Sequence, residues 1–156
     1  MVGSLGQYLL KEELDDLMAS IVAEYREKVV YDIEIGKSYE GRPIMAYAFM
    51  LGTTKEFSEH ELQARRSVFI NGVHHARELT TISQVVYSML TYLHAYEHGL
   101  TELTEVMDQA ALIFVPTVNV DGFTFISDTY KATKRFEYIR KNRHIYAGME
   151  HCQAEF

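Results

Sequence analysis

The sequence contains few of the residues that would place it in a specialised class of protein. Its 156 residues include no Trp, 2 Pro and 1 Cys, so a disulfide-stapled scaffold is excluded. Cys152 is a reduced thiol, an intermolecular partner, or half of a pair whose other half lies outside this chain. With 47% hydrophobic and 24% charged residues, the composition is that of an ordinary globular protein, and we treat residues 1–156 as a single domain or part of one.

Long hydrophobic runs and targeting signals are also missing. No apolar run approaches the roughly 18 residues that a membrane helix needs. The first ten residues, MVGSLGQYLL, lack a basic flank followed by an apolar run and a small-residue cleavage site. We therefore expect no membrane partner. The cellular compartment stays open, because the chain as given can be processed or incomplete.

Positive charge is scarce outside one segment. The formal net charge is -7, whereas residues 131–143 hold 6 basic side chains and 1 acidic one. An acidic body repels a phosphate backbone, so we expect no nucleic-acid partner, although this short segment alone could pass for a basic patch.

Hydrophobic periodicity predicts strands interleaved with helices. Apolar residues at steps of three and four indicate amphipathic helices, and short apolar runs between turn signals indicate strands. The expected elements, in chain order, are a helix over 10–25, strands over 29–35, 44–51 and 67–71, a long helix over 80–98 with Thr80 or Thr81 able to cap its start and Gly99 past its end, a short helix over 102–108, and a strand over 110–115 covered on both faces. This order predicts a layered α/β domain.

The loop between the third strand and the long helix has the most informative sequence, INGVHHAREL over residues 70–79. Loops that leave the carboxyl ends of strands in α/β sheets often present ligand-binding groups. His75 and Glu78 are three residues apart, and an imidazole nitrogen and a carboxylate oxygen both bind zinc at about 2.0–2.2 Å. Spacing alone leaves open a metal pair or a polar loop that caps the next helix. A second pair, His94 and Glu97, lies inside the predicted helix, where we expect a surface contact.

Four segments form an ordered set of motifs. They are IGKSYEGRPI over 35–44, GVHHARE over 72–78, NVDGF over 119–123 and RKNR over 140–143. In that order they resemble segments of the zinc metallocarboxypeptidases of the pancreatic carboxypeptidase type, with Val120 where that family usually has proline. The resemblance implies a mixed twisted β-sheet flanked by helices on both faces, of which this chain would be the N-terminal half, incomplete at its C-terminus.

The resemblance also implies a function, the hydrolysis of C-terminal residues from peptides with Zn²⁺ as cofactor. It makes His75 and Glu78 zinc ligands, Arg77 a substrate-binding residue and Arg140 the cation that stabilises the oxyanion, whereas His74 matches no family ligand. Zinc polarises a carbonyl and lowers the pKa of its bound water to near 7. A fixed guanidinium acts where negative charge develops in the transition state, which is often worth about 3–4 kcal/mol.

Other parts of such a site are not found by motif. A catalytic zinc needs three protein ligands and an open position. The resemblance implies that the third ligand, the carboxylate clamp, a mobile tyrosine and the general-base glutamate lie beyond Phe156, and it gives Cys152 a pairing partner there. The pair Asn142 and Arg143 belongs to the RKNR segment, so it is not assigned the clamp. None of the remaining histidines lies in a segment like the third-ligand motif: His60, His94, His98, His144 and His151.

Two functions follow from these observations. The chain is part of a metallocarboxypeptidase that is active when complete, or it is an inactive fragment or pseudoenzyme that retains a partial zinc site and acts at most as a binding module. For the 156 residues as they stand we expect no catalysis. We also expect self-association, because a sheet that stops midway has unpaired strand edges.

Overall fold

A mixed four-stranded sheet with helices on both faces forms the protein. The structure is a computed structural model and describes residues 3–26, 28–52 and 59–145. The strands run in the order β1-β2-β4-β3; β2 is antiparallel to both β1 and β4, and β3 is parallel to β4. The elements are α1 (Lys11–Tyr25), β1 (Val30–Lys37), β2 (Pro43–Phe49), α2 (Glu59–Ala64), β3 (Arg66–Asn71), α3 (Thr80–His98), α4 (Thr101–Gln109), β4 (Ala110–Val115) and α5 (Val120–Thr133). The α/β class expected from the sequence is confirmed.

The two faces of the sheet are covered unequally. The larger core joins one face of the sheet, through Phe49 and Phe114, to the apolar sides of α1, α3 and α5. On the opposite face, a small cluster around Ala48 and Met50 packs against Leu62 of α2. Ala111, Leu112, Phe114 and Val115 of β4 are all buried, which confirms the expectation of a strand covered on both faces.

Helix α1 is fixed at its start by polar contacts and along its length by packing. The carboxylate of Glu13 accepts a hydrogen bond from the backbone N–H of Leu10 at 2.8 Å, which satisfies a donor that the helix leaves free. Leu14, Met18 and Ile21 are buried along one stripe, as their spacing predicted.

Helix α3 agrees with the predicted boundaries, but its first turn does not have the expected cap. Gly99 ends the helix in the left-handed conformation, with φ of 61°, as predicted. Neither Thr80 nor Thr81 is the N-cap: Leu79 occupies that position without a side-chain cap. The hydroxyl of Thr81 instead accepts a hydrogen bond from the N–H of Val73 at 2.8 Å and donates one to the carbonyl of Glu78 at 2.7 Å, so it ties the helix to the preceding loop.

Two helices were not predicted, and α5 is the important one. No element was predicted at NVDGF, whereas Val120 begins a 14-residue helix capped by Asn119, whose side chain accepts from the N–H of Gly122 at 3.0 Å. Gly122 and several β-branched residues lower the helix propensity of this segment. The N-cap asparagine, followed by apolar Val120, Phe123, Ile126 and Tyr130, was the signal that could have revealed it.

No helix in the described ranges is long and apolar enough to cross a bilayer.

Candidate metal and anion site

The loop with His75 begins where two parallel strands end side by side. Asn71, the last residue of β3, pairs with Val115, the last residue of β4, so the two following loops leave from the same edge of the sheet. Backbone hydrogen bonds join these loops: the N–H of Val118 donates to the carbonyl of Gly72 at 3.0 Å, and the N–H of Asn119 donates to the carbonyl of Val73 at 2.8 Å. The loop after β3 is therefore held by the loop after β4.

The first two residues of this loop have little conformational freedom. A Cβ atom at Gly72 would lie 3.0 Å from the carbonyl oxygen of Pro116 and 3.1 Å from that of Thr81, so the backbones approach too closely for a larger residue. Val73 is fully buried and has φ of 51°, a left-handed conformation that a β-branched residue rarely adopts. Such strain is kept only where the surroundings impose it, and it is frequent at functional sites.

His75 and Glu78 lie together at the outer side of the loop. The Nδ1–H of His75 donates to Oε1 of Glu78 at 2.8 Å, and both side chains are partly accessible to solvent. Two ligands of one tetrahedral zinc ion lie about 3.3–3.6 Å apart, given metal distances of about 2.0–2.2 Å. The imidazole nitrogen and the carboxylate oxygen therefore have the donor chemistry of a metal-binding pair and are held near the separation that a shared ion requires. His74 is exposed and does not share this contact.

Two arginines flank this pair because the segment 138–141 packs against the loop. The N–H of Ala76 donates to the carbonyl of Arg140 at 3.2 Å, and the guanidinium of Arg77 donates to the carbonyl of Tyr138 at 3.4 Å. The side chain of Arg140 is exposed and forms no ion pair with any described residue. Arg140 therefore carries an uncompensated positive charge on the backbone segment that contacts the His75 loop, which is a suitable arrangement for binding an anion.

The remaining motifs meet at Asp121, at the start of α5. The buried carboxylate of Asp121 accepts hydrogen bonds from the hydroxyl of Ser38 at 2.7 Å, the N–H of Glu40 at 3.0 Å and the guanidinium of Arg42 at 2.7 Å. Burial by itself raises the pKa of this carboxyl, but the bonds from Ser38, Glu40 and Arg42 outweigh it and bring the pKa of Asp121 below its ordinary value. The motif residues of the β1–β2 turn thus bind the helix that supports the site.

The RKNR segment is attached to the same network. Nε of Arg143 donates to a carboxylate oxygen of Glu40 at 3.2 Å, and its guanidinium lies 4.4 Å from the ring centroid of Phe125. Nδ2 of Asn119 donates to the carbonyl of Lys141 at 3.1 Å. These motifs carry the family resemblance, but the sequence alone indicated no role for Asp121, Arg42 or Asn119. Their hydrogen bonds position the backbone that carries Arg140.

Helix α5 also touches the site loop directly. A Cβ atom at Gly122 would lie 2.6 Å from the Cβ of Ala76, which is closer than two carbon atoms pack. Glycine at this position therefore lets the start of α5 lie against the residue between His75 and Arg77.

Several expected site residues are not brought together. No group of three or more His, Cys, Asp or Glu side chains within residues 3–26, 28–52 and 59–145 could hold a metal ion, so the third zinc ligand stays a prediction. His151 and Cys152 lie outside the described residues. Glu97 does not pair with His94: its carboxylate accepts a hydrogen bond from the hydroxyl of Tyr25, which together with burial raises the pKa of Tyr25 to about 12.

Comparisons with known proteins find relatives in one family. The family model described as zinc carboxypeptidase matches residues 14–153. The inactive metallocarboxypeptidase ecm14 of Sclerotinia sclerotiorum is 31% identical over 93 residues, and that of Uncinocarpus reesii is 35% identical over 100 residues. These matches cover 60% and 62% of this chain but only 15% and 16% of the relatives.

Solved structures with similar folds include thrombin activatable fibrinolysis inhibitor and the carboxypeptidase A of Helicoverpa armigera. The first has a TM-score of 0.71 at 21% identity, and the second has a TM-score of 0.65 at 25% identity. Each match covers 94% of this chain, which spans 33% and 32% of those two chains. Because the family match includes the His75 loop, α5 and the RKNR segment, and extends over most of the sequence, this chain belongs to the zinc carboxypeptidase family.

Proposed function

We propose that this chain contributes the first two zinc ligands and two anion-binding arginines to a carboxypeptidase site, in which peptide C-termini are the substrate. The observation that supports this most directly is the 2.8 Å contact between His75 and Glu78 in the loop whose backbone binds Arg140. In this proposal the third ligand and the general base come from residues after Phe156.

The donor set fits a zinc ion held in part by other residues. His75 and Glu78 would hold it, and the bound ion would supply Lewis acidity toward a carbonyl and an acidified water. The partial exposure of both side chains leaves room for further ligands on the solvent side of the loop.

Arg140 and Arg77 would act on the negative charge of the substrate and its transition state. A guanidinium stays charged at any physiological pH, because its pKa lies above about 12. Attachment of Arg140 to Ala76 through the backbone keeps this charge beside the His75 loop. Electrostatic stabilisation of this kind works because the donor is already in position when the charge develops. Arg77, bound to the carbonyl of Tyr138, is the second cation of the same surface.

Zinc binding by the isolated chain tests the ligand assignment. We expect His75→Ala and Glu78→Ala each to weaken Zn²⁺ binding in calorimetry by about tenfold or more, because each removes one donor of a shared ion. His74→Ala is the matched control, since it removes the neighbouring exposed imidazole and should leave the affinity unchanged. An equal loss in all three variants would contradict the assignment.

An inactive family member is the second candidate function. The site loop contains two adjacent metal donors, and the two fungal relatives are named inactive metallocarboxypeptidases. Such a protein would keep the scaffold, bind zinc weakly or not at all, and act at most as a binding module.

Hydrolysis assays separate a completed site from a partial one. We expect the purified chain of 156 residues to release no C-terminal residue from a blocked dipeptide in the presence of Zn²⁺, because two ligands leave the ion without the third that a catalytic site needs. Turnover that is abolished by a chelator would show that these residues suffice. If a longer chain that continues past Phe156 hydrolyses the same substrate, the first candidate holds; if it does not, the second is favoured.

A further inference from the structure

Two histidines lie one turn apart at the end of α3 that is opposite to the His75 loop. His94 and His98 are both exposed, and their ring centroids are 4.0 Å apart with an interplanar angle of 34°. Residues four apart in a helix share one face, and two histidines at this spacing can bind a single metal ion. The sequence drew attention to His94 only for its spacing from Glu97, which the structure pairs with Tyr25.

A hydrogen bond fixes which nitrogen of His98 is available. Its Nδ1 lies 3.0 Å from the carbonyl oxygen of His94. Because a carbonyl only accepts, Nδ1 carries the proton, and Nε2 of the neutral ring then has a lone pair. Donation of the second ring nitrogen to a carbonyl is the usual way in which proteins orient a histidine that binds metal. No hydrogen bond to the imidazole of His94 occurs among the described residues, so both of its nitrogens remain accessible.

The end of the helix is electrostatically suited to a cation. Gly99 closes α3, and the last carbonyl groups of a helix carry partial negative charge, which favours positive charge within the final turn. The carboxylate of Glu97 adds negative charge to the same turn, in a protein whose net charge is -7.

We propose that His94 and His98 form a second metal site, a surface chelate for a divalent transition metal such as Ni²⁺ or Cu²⁺. Imidazole suits these ions, and water molecules complete the coordination because only two protein donors are present. This site does not depend on the proposed zinc pair. Thr80 and His94 are separated by 14 residues of helix, which corresponds to about 21 Å along the axis of α3.

Calorimetric titration with Ni²⁺ alone tests the proposal on the full chain in a His75→Ala background, which silences the other pair. We expect His94→Ala and His98→Ala each to weaken Ni²⁺ binding by about tenfold or more, because a chelate becomes a single imidazole ligand. His60→Ala, which removes an exposed histidine of α2, is the matched control and should not change the affinity. Equal binding by all variants, or an equal loss in the control, would overturn the site.

A second measurement guards against a helix that frays in the variants. In ¹H–¹⁵N spectra of the His75→Ala chain, substoichiometric Ni²⁺ should first broaden the amide signals around residues 94–98. Broadening that begins at other residues would refute the proposal. This result would not depend on whether the His94→Ala and His98→Ala variants fold, because both histidines are present in the sample. Because His75 is absent from every sample, failure of this site would leave the proposed zinc pair untouched.

Discussion

Asp121 is the residue through which distant segments of the chain are joined. Its carboxylate is 4% exposed and receives a hydroxyl, a backbone N–H and a guanidinium from the turn between β1 and β2. Charge-assisted hydrogen bonds of this kind are among the stronger ones in proteins. Asp121 therefore stabilises the fold by joining α5 to the β1–β2 turn, although it is part of a motif that identifies the family.

Replacement of Asp121 tests this role. We expect Asp121→Asn to lower the free energy of unfolding by about 1–3 kcal/mol, because an amide cannot accept from all three donors and carries no charge for Arg42. Urea denaturation measures the change. Asp128→Asn, at an exposed position of the same helix, is the control and should stay within about 0.5 kcal/mol of the unchanged protein. An equal loss of stability in Asp128→Asn would show that any substitution in α5 destabilises the protein, and would contradict a specific role for Asp121.

The same carboxylate predicts a dependence of stability on pH. Its pKa in the folded protein lies below its ordinary value of 3.8, so folding favours the ionised form. This stabilisation is complete above the unfolded pKa and is lost as the pH falls from about 4 toward the lower folded value. Thermal unfolding from pH 5 to pH 2 should show a smaller loss of stability for Asp121→Asn than for the unchanged protein. Parallel curves would contradict the assignment.

Helix α5 acts as the element that positions the site. Its N-cap, Asn119, accepts from Gly122 through the side-chain oxygen and donates to the carbonyl of Lys141 through the side-chain nitrogen. One side chain therefore starts the helix and holds the segment that carries Arg140.

Two substitutions at Asn119 separate these roles. We expect Asn119→Ala to cost about 0.5–2 kcal/mol through loss of the cap, and Asn119→Ser to recover most of this because serine is a good N-cap. Serine would use its single hydroxyl as the cap and has no side-chain amide to donate to the carbonyl of Lys141. Hydrogen exchange should thus be faster around residues 138–141 in both variants, and unchanged exchange there in Asn119→Ser would refute the link.

At the scale of the whole molecule, β3 is one of the two edge strands of the sheet among the described residues, and β1 is the other. Strand β3 pairs with β4 on one side, and no strand pairs with its other side within the described ranges. Val68 and Phe69 are 47% and 55% exposed, which is unusual for apolar strand residues beside a core. A flat apolar edge with free N–H and carbonyl groups favours pairing with another chain.

Self-association through this edge can be tested by adding a charge. We expect the unchanged protein to form larger species as its concentration rises in sedimentation velocity, and Phe69→Lys to shift it toward monomer, because charged side chains hinder edge pairing. Tyr87→Lys is the matched control, since Tyr87 is a 68% exposed aromatic residue of α3 away from the edge. Association that persists in Phe69→Lys but disappears in the control would place the contact on α3.

Elements whose pattern is local and strong could be predicted from the residues alone. The stripe of α1, the Gly99 end of α3 and the apolar run of β4 follow from spacing and from the conformational freedom of glycine, so they could be predicted. The sequence also suggested that His75 and Glu78 meet, because side chains three apart in a turn can converge, and the structure places them in contact. Helix α5 was missed because its propensity is weak and its packing against Ala76 lies between residues far apart in the chain.

Contacts between groups that are distant in the chain became visible only in the folded protein. The contact of Ala76 with Arg140, the bonds from the 38–42 turn to Asp121 and the pairing of β3 with β4 join residues separated by tens of positions, and no local preference encodes such distances. The partner of Glu97 was also unpredictable from local spacing. Its carboxylate binds the hydroxyl of Tyr25, and the ring of His94 lies beside that of His98. Local spacing and the resemblance of the motifs identified the candidate ligands of this protein, whereas burial and long-range hydrogen bonding determine the surroundings in which they act.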